Sequence, residues 1–239
     1  TYGSMSNYLS NSWEVQNLLT YKKNLGKHSL DALGGYQRDY SSTSQVTASA
    51  SDFASAGTTV LGYYGLNLGN PANQRTYSYF TERSNLAYLG RMNYNFNSKY
   101  YLTANYRKDG YSAFAEGNKF AEFYGGAVAY AISEENFFKK ALPKINYLKL
   151  RAAYGQNGNQ GIDPYETVAN IASGTTVFGP TSTLFIYQSS LANQKLSWEK
   201  TTTLNMGLNF SALNNRLSGD LNLYKSKTTD QLLTRSLPA

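Results

Sequence analysis

Between residues 85 and 132 the side chains change character every second position. Leu86, Tyr88, Met92, Tyr94 and Phe96 share one parity; Ala87, Leu89, Arg91, Asn93 and Asn95 share the other, where only Leu89 breaks the polar pattern. After Asn97–Ser98–Lys99 the alternation resumes, with Tyr100, Leu102, Ala104 and Tyr106 opposed to Thr103, Asn105, Arg107 and Asp109. A period of two is the geometry of a β-strand, and two such runs across a short turn predict an antiparallel hairpin. Each run is about ten residues or longer, where a soluble strand averages about 5–6. Ten or so tilted residues cross the hydrocarbon layer of a membrane.

The same pattern recurs along the chain. Residues 12–23 alternate Trp13, Val15, Leu19 and Tyr21 against Glu14, Gln16, Thr20 and Lys22, and residues 28–40 return after a turn at 24–27. Residues 1–11 read as the tail of a loop or a cut strand, and 41–77, rich in Ser, Thr, Ala, Gly and Asn, as a long loop. Strands are predicted at 78–96, 100–112, 120–132 and 145–156. Between the last two, residues 133–143 read as helical turns with Ser133 as cap, acidic residues first and Lys139 and Lys140 last, as the helix dipole prefers. A polar loop at 157–196 precedes a final hairpin: Trp198, Leu204, Met206, Leu208 and Phe210, then Leu217, Leu221 and Leu223, against Thr203, Asn205, Asn209, Asp220 and Asn222.

Roughly eight strands result, and their connections alternate. Those at 24–27, 97–99, 133–144 and 211–216 are compact; those at 41–77, 113–119 and 157–196 are longer. In an up-and-down meander this sorts tight turns to one rim and long loops to the other, the arrangement of outer-membrane barrels.

Composition narrows the function. Apolar residues make up 41% of the 239, enough for a core, and 22 tyrosines suit membrane girdles or binding surfaces. No window approaches 18 consecutive apolar residues, so no transmembrane helix is expected. The absence of cysteine excludes disulfides and thiolate metal sites. No apolar leader follows Thr1, so any signal peptide is expected upstream or removed. The net charge of +7 is dispersed, with no run beyond pairs such as Lys22–Lys23, which argues against nucleic acid.

Three blocks in order, YLGRMNYNFNSKYYLTANYRKDGYSAF at 88–114, YLKLRAAYGQNGNQGIDPY at 147–165 and LSWEKTTTLNMGLNFSALNNRLSGDLNLYKSKTTDQLL at 196–233, resemble the SusC/RagA family of TonB-dependent outer-membrane transporters. The resemblance implies an all-β, antiparallel, up-and-down transmembrane barrel, of which this chain supplies about eight strands of a larger wall. It implies import of glycans or peptides with a SusD-like surface lipoprotein, and coupling to the TonB complex through a plug absent from residues 1–239. Ala239 is not the aromatic end of a complete barrel, so the chain is expected to be a slice of wall, embedded in outer-membrane lipid and using no cofactor. Two readings of other classes remain: a self-contained small outer-membrane barrel with a structural or adhesive role, and a soluble carbohydrate-binding β-sandwich.

Under the barrel reading Arg91, Asn93, Asn105, Arg107, Arg151, Asn205 and Asp220 line a wet lumen, while Leu86, Tyr88, Leu102, Leu150, Leu204 and Leu208 face lipid. The bland alternative for the polar set is a solvated sheet face. On this assignment Leu204→Arg near the midplane costs about 2–4 kcal/mol and Asn205→Arg is tolerated. Tyr63, Tyr64, Phe178, Phe185 and Tyr187 are loop aromatics placed to stack on a substrate or hold a lid, against the alternative that they pack their own loops. Enzymatic chemistry finds little support. His28, the only histidine, opposes Asp31 in strand parity. The glycines from Gly155 to Gly161 lack a phosphate-loop Lys-Ser/Thr and read as a strand-to-loop bend. Asp109 and Glu116 are more simply a solvated rim than a glycosidase pair.

Overall fold

The computed structural model describes residues 2–53 and 62–233, without the Tyr63 side chain. The described strands are β1 (Tyr2–Leu25), β2 (His28–Ser51), β3 (Arg75–Phe96), β4 (Tyr100–Tyr111), β5 (Phe120–Tyr130), β6 (Ile145–Asn159), β7 (Ile171–Phe178), β8 (Thr181–Gln188), β9 (Glu199–Ala212) and β10 (Leu217–Thr229), with one short helix, α1 (Asn136–Ala141). The chain divides into two compact units, Thr1–Glu14 with Asp39–Ser84 and Val15–Arg38 with Asn85–Ala239.

The second unit carries an antiparallel meander in the order β1-β2-β3-β4-β5-β6-β9-β10, and β7 pairs only with β8. Its hairpin turns are local chemistry. At the β3–β4 turn Asn97 and Ser98 hold φ of 53° and 55°, and the Lys99 N–H donates to the Phe96 carbonyl at 3.0 Å. Two left-handed residues match the right-handed twist of the flanking strands, and Asn tolerates that region best after glycine. Gly26, with φ of 57°, does the same between β1 and β2.

The β5–β6 connection is compact for another reason. A 3-10 turn at Ile132–Glu134 runs into α1, and Glu135 ties it down: Lys99 Nζ donates to one carboxylate oxygen at 2.7 Å, Tyr100 Oη to the other at 3.0 Å. Lys99 holds the Glu135 carboxyl below its ordinary value, its donated hydrogen bond being the largest cause. Ser133 does not cap the helix as its sequence position suggested. Glu135 is the N-cap residue, no side chain bonds the free N–H groups, and the Ser133 hydroxyl is buried without a partner.

The first unit revises the reading of the chain's first third. Residues 2–11 are strand rather than a tail, and 41–51 belong to β2 rather than to a loop. Serine, threonine and alanine give that stretch no apolar period, yet its backbone pairs with a neighbouring strand. Ser6 Oγ meets Thr47 Oγ1 at 2.8 Å, Trp13 stacks on Tyr40 at 5.9 Å, and Tyr40 Oη donates to Glu82 Oε2 at 3.0 Å. Within the remaining connection Gly62–Leu68 and Pro71–Asn73 are 3-10 turns, the second capped by Asn70 Oδ1 accepting from the Ala72 N–H at 3.0 Å.

Two further differences lie in the second unit. The segment read as a 157–196 loop contains the β7–β8 hairpin, and β6 continues through Gly155 and Gly158 to Asn159, so of these glycines only Gly161 lies beyond the strand. The buried core is small: Tyr111, Phe114, Phe123, Ile162 and Trp198 close together where the long connections emerge. Leu102 (41%), Leu150 (46%) and Leu204 (43%) stay exposed, so no second sheet packs on the leucine face among the described residues and the sandwich reading loses its core.

Candidate functional site

Strand register sorts the second unit into two faces. Cross-strand partners run Asn93–Thr103–Ala127–Ala153–Asn205–Tyr224 in one row and Arg91–Asn105–Gly125–Gly155–Thr203–Ser226 in the next. Arg107, Arg151 and Asp220 share that parity, so all seven residues singled out as polar lie on one face. Leu86, Tyr88, Leu102, Leu150, Leu204 and Leu208 lie on the other.

The apolar face is banded. Phe96, Tyr100 and Tyr130 form one aromatic row, Tyr100 and Tyr130 stacking at 5.0 Å and Phe96 carrying the His28 ring at 4.8 Å. His28 Nδ1 also bonds Tyr94 Oη at 2.6 Å, while Asp31 faces Lys22 at 3.4 Å, so the histidine belongs to this row and not to a catalytic pair. A second row, Tyr106 and Tyr124 at 5.3 Å, lies six residues along β4 and β5, or ~20 Å at about 3.3 Å per residue, and Tyr36 against Tyr88 at 5.4 Å lies one step further out on β2 and β3. Between the rows β3, β4, β5, β6 and β9 place no charged residue on this face; beyond them stand Lys99–Glu135 at one end and Lys108–Glu122, at 3.1 Å, at the other. An uncharged band between aromatic girdles and ionic rims is what a strand crossing lipid requires.

The polar face is built by side chains lying across small neighbours. Arg151 lies over Gly207, where a Cβ would strike its guanidinium, and Nη2 reaches Asn222 Oδ1 at 2.5 Å. Asn222 passes a hydrogen bond to Asp220 Oδ2 at 2.7 Å. Asn105 lies over Gly125 in the same manner. Arg107 Nε contacts Asp109 at 2.7 Å, so Asp109 is occupied by a cation and not paired with Glu116. Among the described residues no group of three or more metal-binding side chains converges.

Where the long connections emerge, aromatic packing pins them together. Trp198 sits between Phe114 (5.4 Å) and Phe123 (5.8 Å), and its indole N–H donates to the Lys119 carbonyl at 3.2 Å. Tyr111 Oη donates to the Ile162 carbonyl at 3.1 Å and Thr167 Oγ1 to the Ala113 carbonyl at 3.0 Å. These contacts join residues 50 or more apart in sequence, so their separate alternation patterns could not reveal them. Of the aromatics singled out as ligands, Phe185 and Tyr187 meet at 5.5 Å on β8, Phe178 closes β7, Tyr64 is exposed in its 3-10 turn, and the side chain of Tyr63 lies outside the described residues. All four placed aromatics are on ordered elements rather than free loops. The hairpin also exposes Ile171, Val177, Leu184 and Ile186 on its other face, a surface that alternation within the supposed loop could have disclosed.

The family model for TonB dependent receptor-like β-barrels matches residues 2–239. The chain belongs to this family. It is 36% identical over 237 residues to TonB-dependent receptor P3 of Formosa agariphila, covering 99% of this chain and 23% of that relative. It is 36% identical over 169 residues to TonB-dependent receptor SusC of Bacteroides thetaiotaomicron, covering 67% of this chain and 16% of that one. Among solved structures, that of the RagAB peptide transporter superposes with a TM-score of 0.81 at 26% identity over 98% of this chain and 25% of the other. The chain therefore spans less than a quarter of the length of the curated relatives it matches. The SusC/RagA resemblance is borne out, and this TonB-dependent receptor barrel segment is a partial wall of an outer-membrane protein.

Proposed function

We propose that this segment forms part of the lumen wall of a TonB-dependent importer of glycans or peptides. The observation that carries the reading is the two-faced register: an uncharged, aromatic-bounded face for lipid and a face of Arg, Asn, Thr and Ser for water. Arg91, Asn93, Asn105, Arg107, Arg151, Asn205 and Asp220 offer hydrogen bonds along the lumen. Leu86, Tyr88, Leu102, Leu150, Leu204 and Leu208 meet acyl chains. Pairing of each strand with its neighbours leaves little backbone unsatisfied in hydrocarbon.

Phe178, Phe185 and Tyr187 stand on the long connection between β6 and β9, and Tyr64 on the long connection between β2 and β3; long connections of this kind capture solute beneath a SusD-like lipoprotein. A plug carried elsewhere in the transporter then moves under force from the TonB complex. The wall performs no covalent chemistry. The names of the similar proteins, SusC and a peptide transporter, support import without settling the solute.

Cysteines introduced into this segment, which has none of its own, test the two faces once any cysteine elsewhere in the transporter is replaced. In outer membranes holding the full-length transporter, a charged maleimide should label Asn93→Cys and Asn205→Cys, and a lipid-soluble one Leu102→Cys and Leu208→Cys. Aqueous labelling of the leucine positions at the rate of the asparagine positions would overturn the assignment.

A further inference from the structure

We infer that Lys149 and Arg151 form a subsite for an anionic group, a carboxylate or sulfate, on the solute passing this wall. The inference rests on the lumen reading above and adds the charge of the cargo. A shallow cavity on the polar face is walled by Tyr101, Thr103, Lys149, Arg151 and Asn205 and floored by alanines of β5 and β6. Three successive rows across β3, β4, β5, β6, β9 and β10, from Asn95 through Asn222 up to Arg91 through Ser226, contain two arginines and no Asp or Glu. Lys149 stands one row below, in register with Asn209 and Asp220.

Neither cation has a carboxylate within ion-pair reach among the described residues. The Lys149 ammonium rests over the Tyr101 ring, 4.0 Å from its centroid, and Arg151 rests on the Asn222 amide. Asp220, the nearest acid in register, accepts from Asn222 instead. Two like charges two residues apart on one strand stand ~7 Å from each other. On a wall backed by hydrocarbon such a pair focuses positive potential on the trough, and ionisable groups kept at membrane depth mark solute paths.

The resting partners favour an exchangeable anion over a resident one. On these strands Lys149 lies over the Tyr101 ring and Arg151 bonds the Asn222 amide, both neutral groups, so an arriving anion displaces no carboxylate. A carboxylate or sulfate arriving over the alanine floor gains the planar Arg fork and the Lys point charge together. The flat floor admits an extended peptide backbone or a sugar ring, and the negative group is what both sources share.

The test is equilibrium binding to the purified full-length transporter at low and high salt. The probes are a hexapeptide containing Asp against its Asn counterpart, and oligogalacturonate against its neutral methyl ester. At low salt at least one acidic probe should bind about tenfold tighter than its neutral partner, the scale of a desolvated charge contact, and which pair responds separates peptide from glycan. That ratio should fall to about one at high salt, in the Lys149→Met/Arg151→Met double variant, and in Asn205→Asp, which seats a carboxylate beside the cations. A wild-type ratio of one for both pairs, as expected if another part of the transporter already neutralises the cations, overturns the inference. So does a ratio that survives the variants. Cysteine labelling reports on the lumen reading separately, so a failure of either is recognised as its own.

Discussion

Replacing Leu208 by arginine is the perturbation that most directly tests the sidedness of the wall. Leu208 faces Leu150 on β6 and Leu221 on β10, in the middle of the run Leu204, Met206, Leu208 and Phe210. No charged side chain shares that face on the six strands from β3 to β10 until Lys225, opposite Leu204. An arginine here must leave its charge in hydrocarbon or bend its three-methylene stem toward a rim. In outer-membrane barrels that costs about 2–4 kcal/mol at the midplane and about 0–1 near the interfaces. Leu208→Arg should therefore cost about 2–4 kcal/mol. Leu204→Arg, on the same face and between the rows of Tyr100 and Tyr106, should also cost about 2–4 kcal/mol. Asn205→Arg, on the opposite face between Ala153 and Tyr224, should cost under about 1 kcal/mol. The assay is urea unfolding of the full-length transporter in lipid vesicles, followed by heat-modifiable migration. Equal losses for Leu208→Arg and Asn205→Arg would refute the reasoning, because depth and face would then not matter.

Trp198→Ala removes a ring held by Phe114 and Phe123 together with its bond to the Lys119 carbonyl. It should cost the loop cluster about 3–5 kcal/mol, seen as protease nicking at 112–119 and 160–198 on intact cells, with heat-modifiable migration of the barrel retained. Because Lys99 depresses the Glu135 carboxyl, the contact at the short-turn end stabilises the fold above the unfolded carboxyl's ordinary value and is lost as pH falls through the lowered one. Melting at neutral pH against strongly acid pH should show a loss that Glu135→Gln lacks. An identical acid loss in that variant would remove Glu135 as its source.

The division of faces, the eight strands of the main sheet and the positions of the compact turns were legible in the sequence. Side-chain alternation is a property of the strand itself, and Asn97–Ser98 or Gly26 bends the backbone without help from distant residues. Residues 41–51 and 171–188 were not legible as strands. The first has small polar side chains with no period and is extended by its pairing; the second had its alternation obscured by Gly174, Gly179 and Pro180 inside a polar stretch.

Tertiary structure alone decided three things. It gathered Tyr111, Phe114, Ile162 and Trp198 from three connections, because loop packing depends on which strands are neighbours. It left the α1 N-terminus without a side-chain cap, with Ser133 buried and Glu135 held by Lys99 and Tyr100. And it placed Lys149 and Arg151 beside Tyr101 with no acid in reach, because register across strands, unlike parity along one, is a relation between residues far apart in the chain.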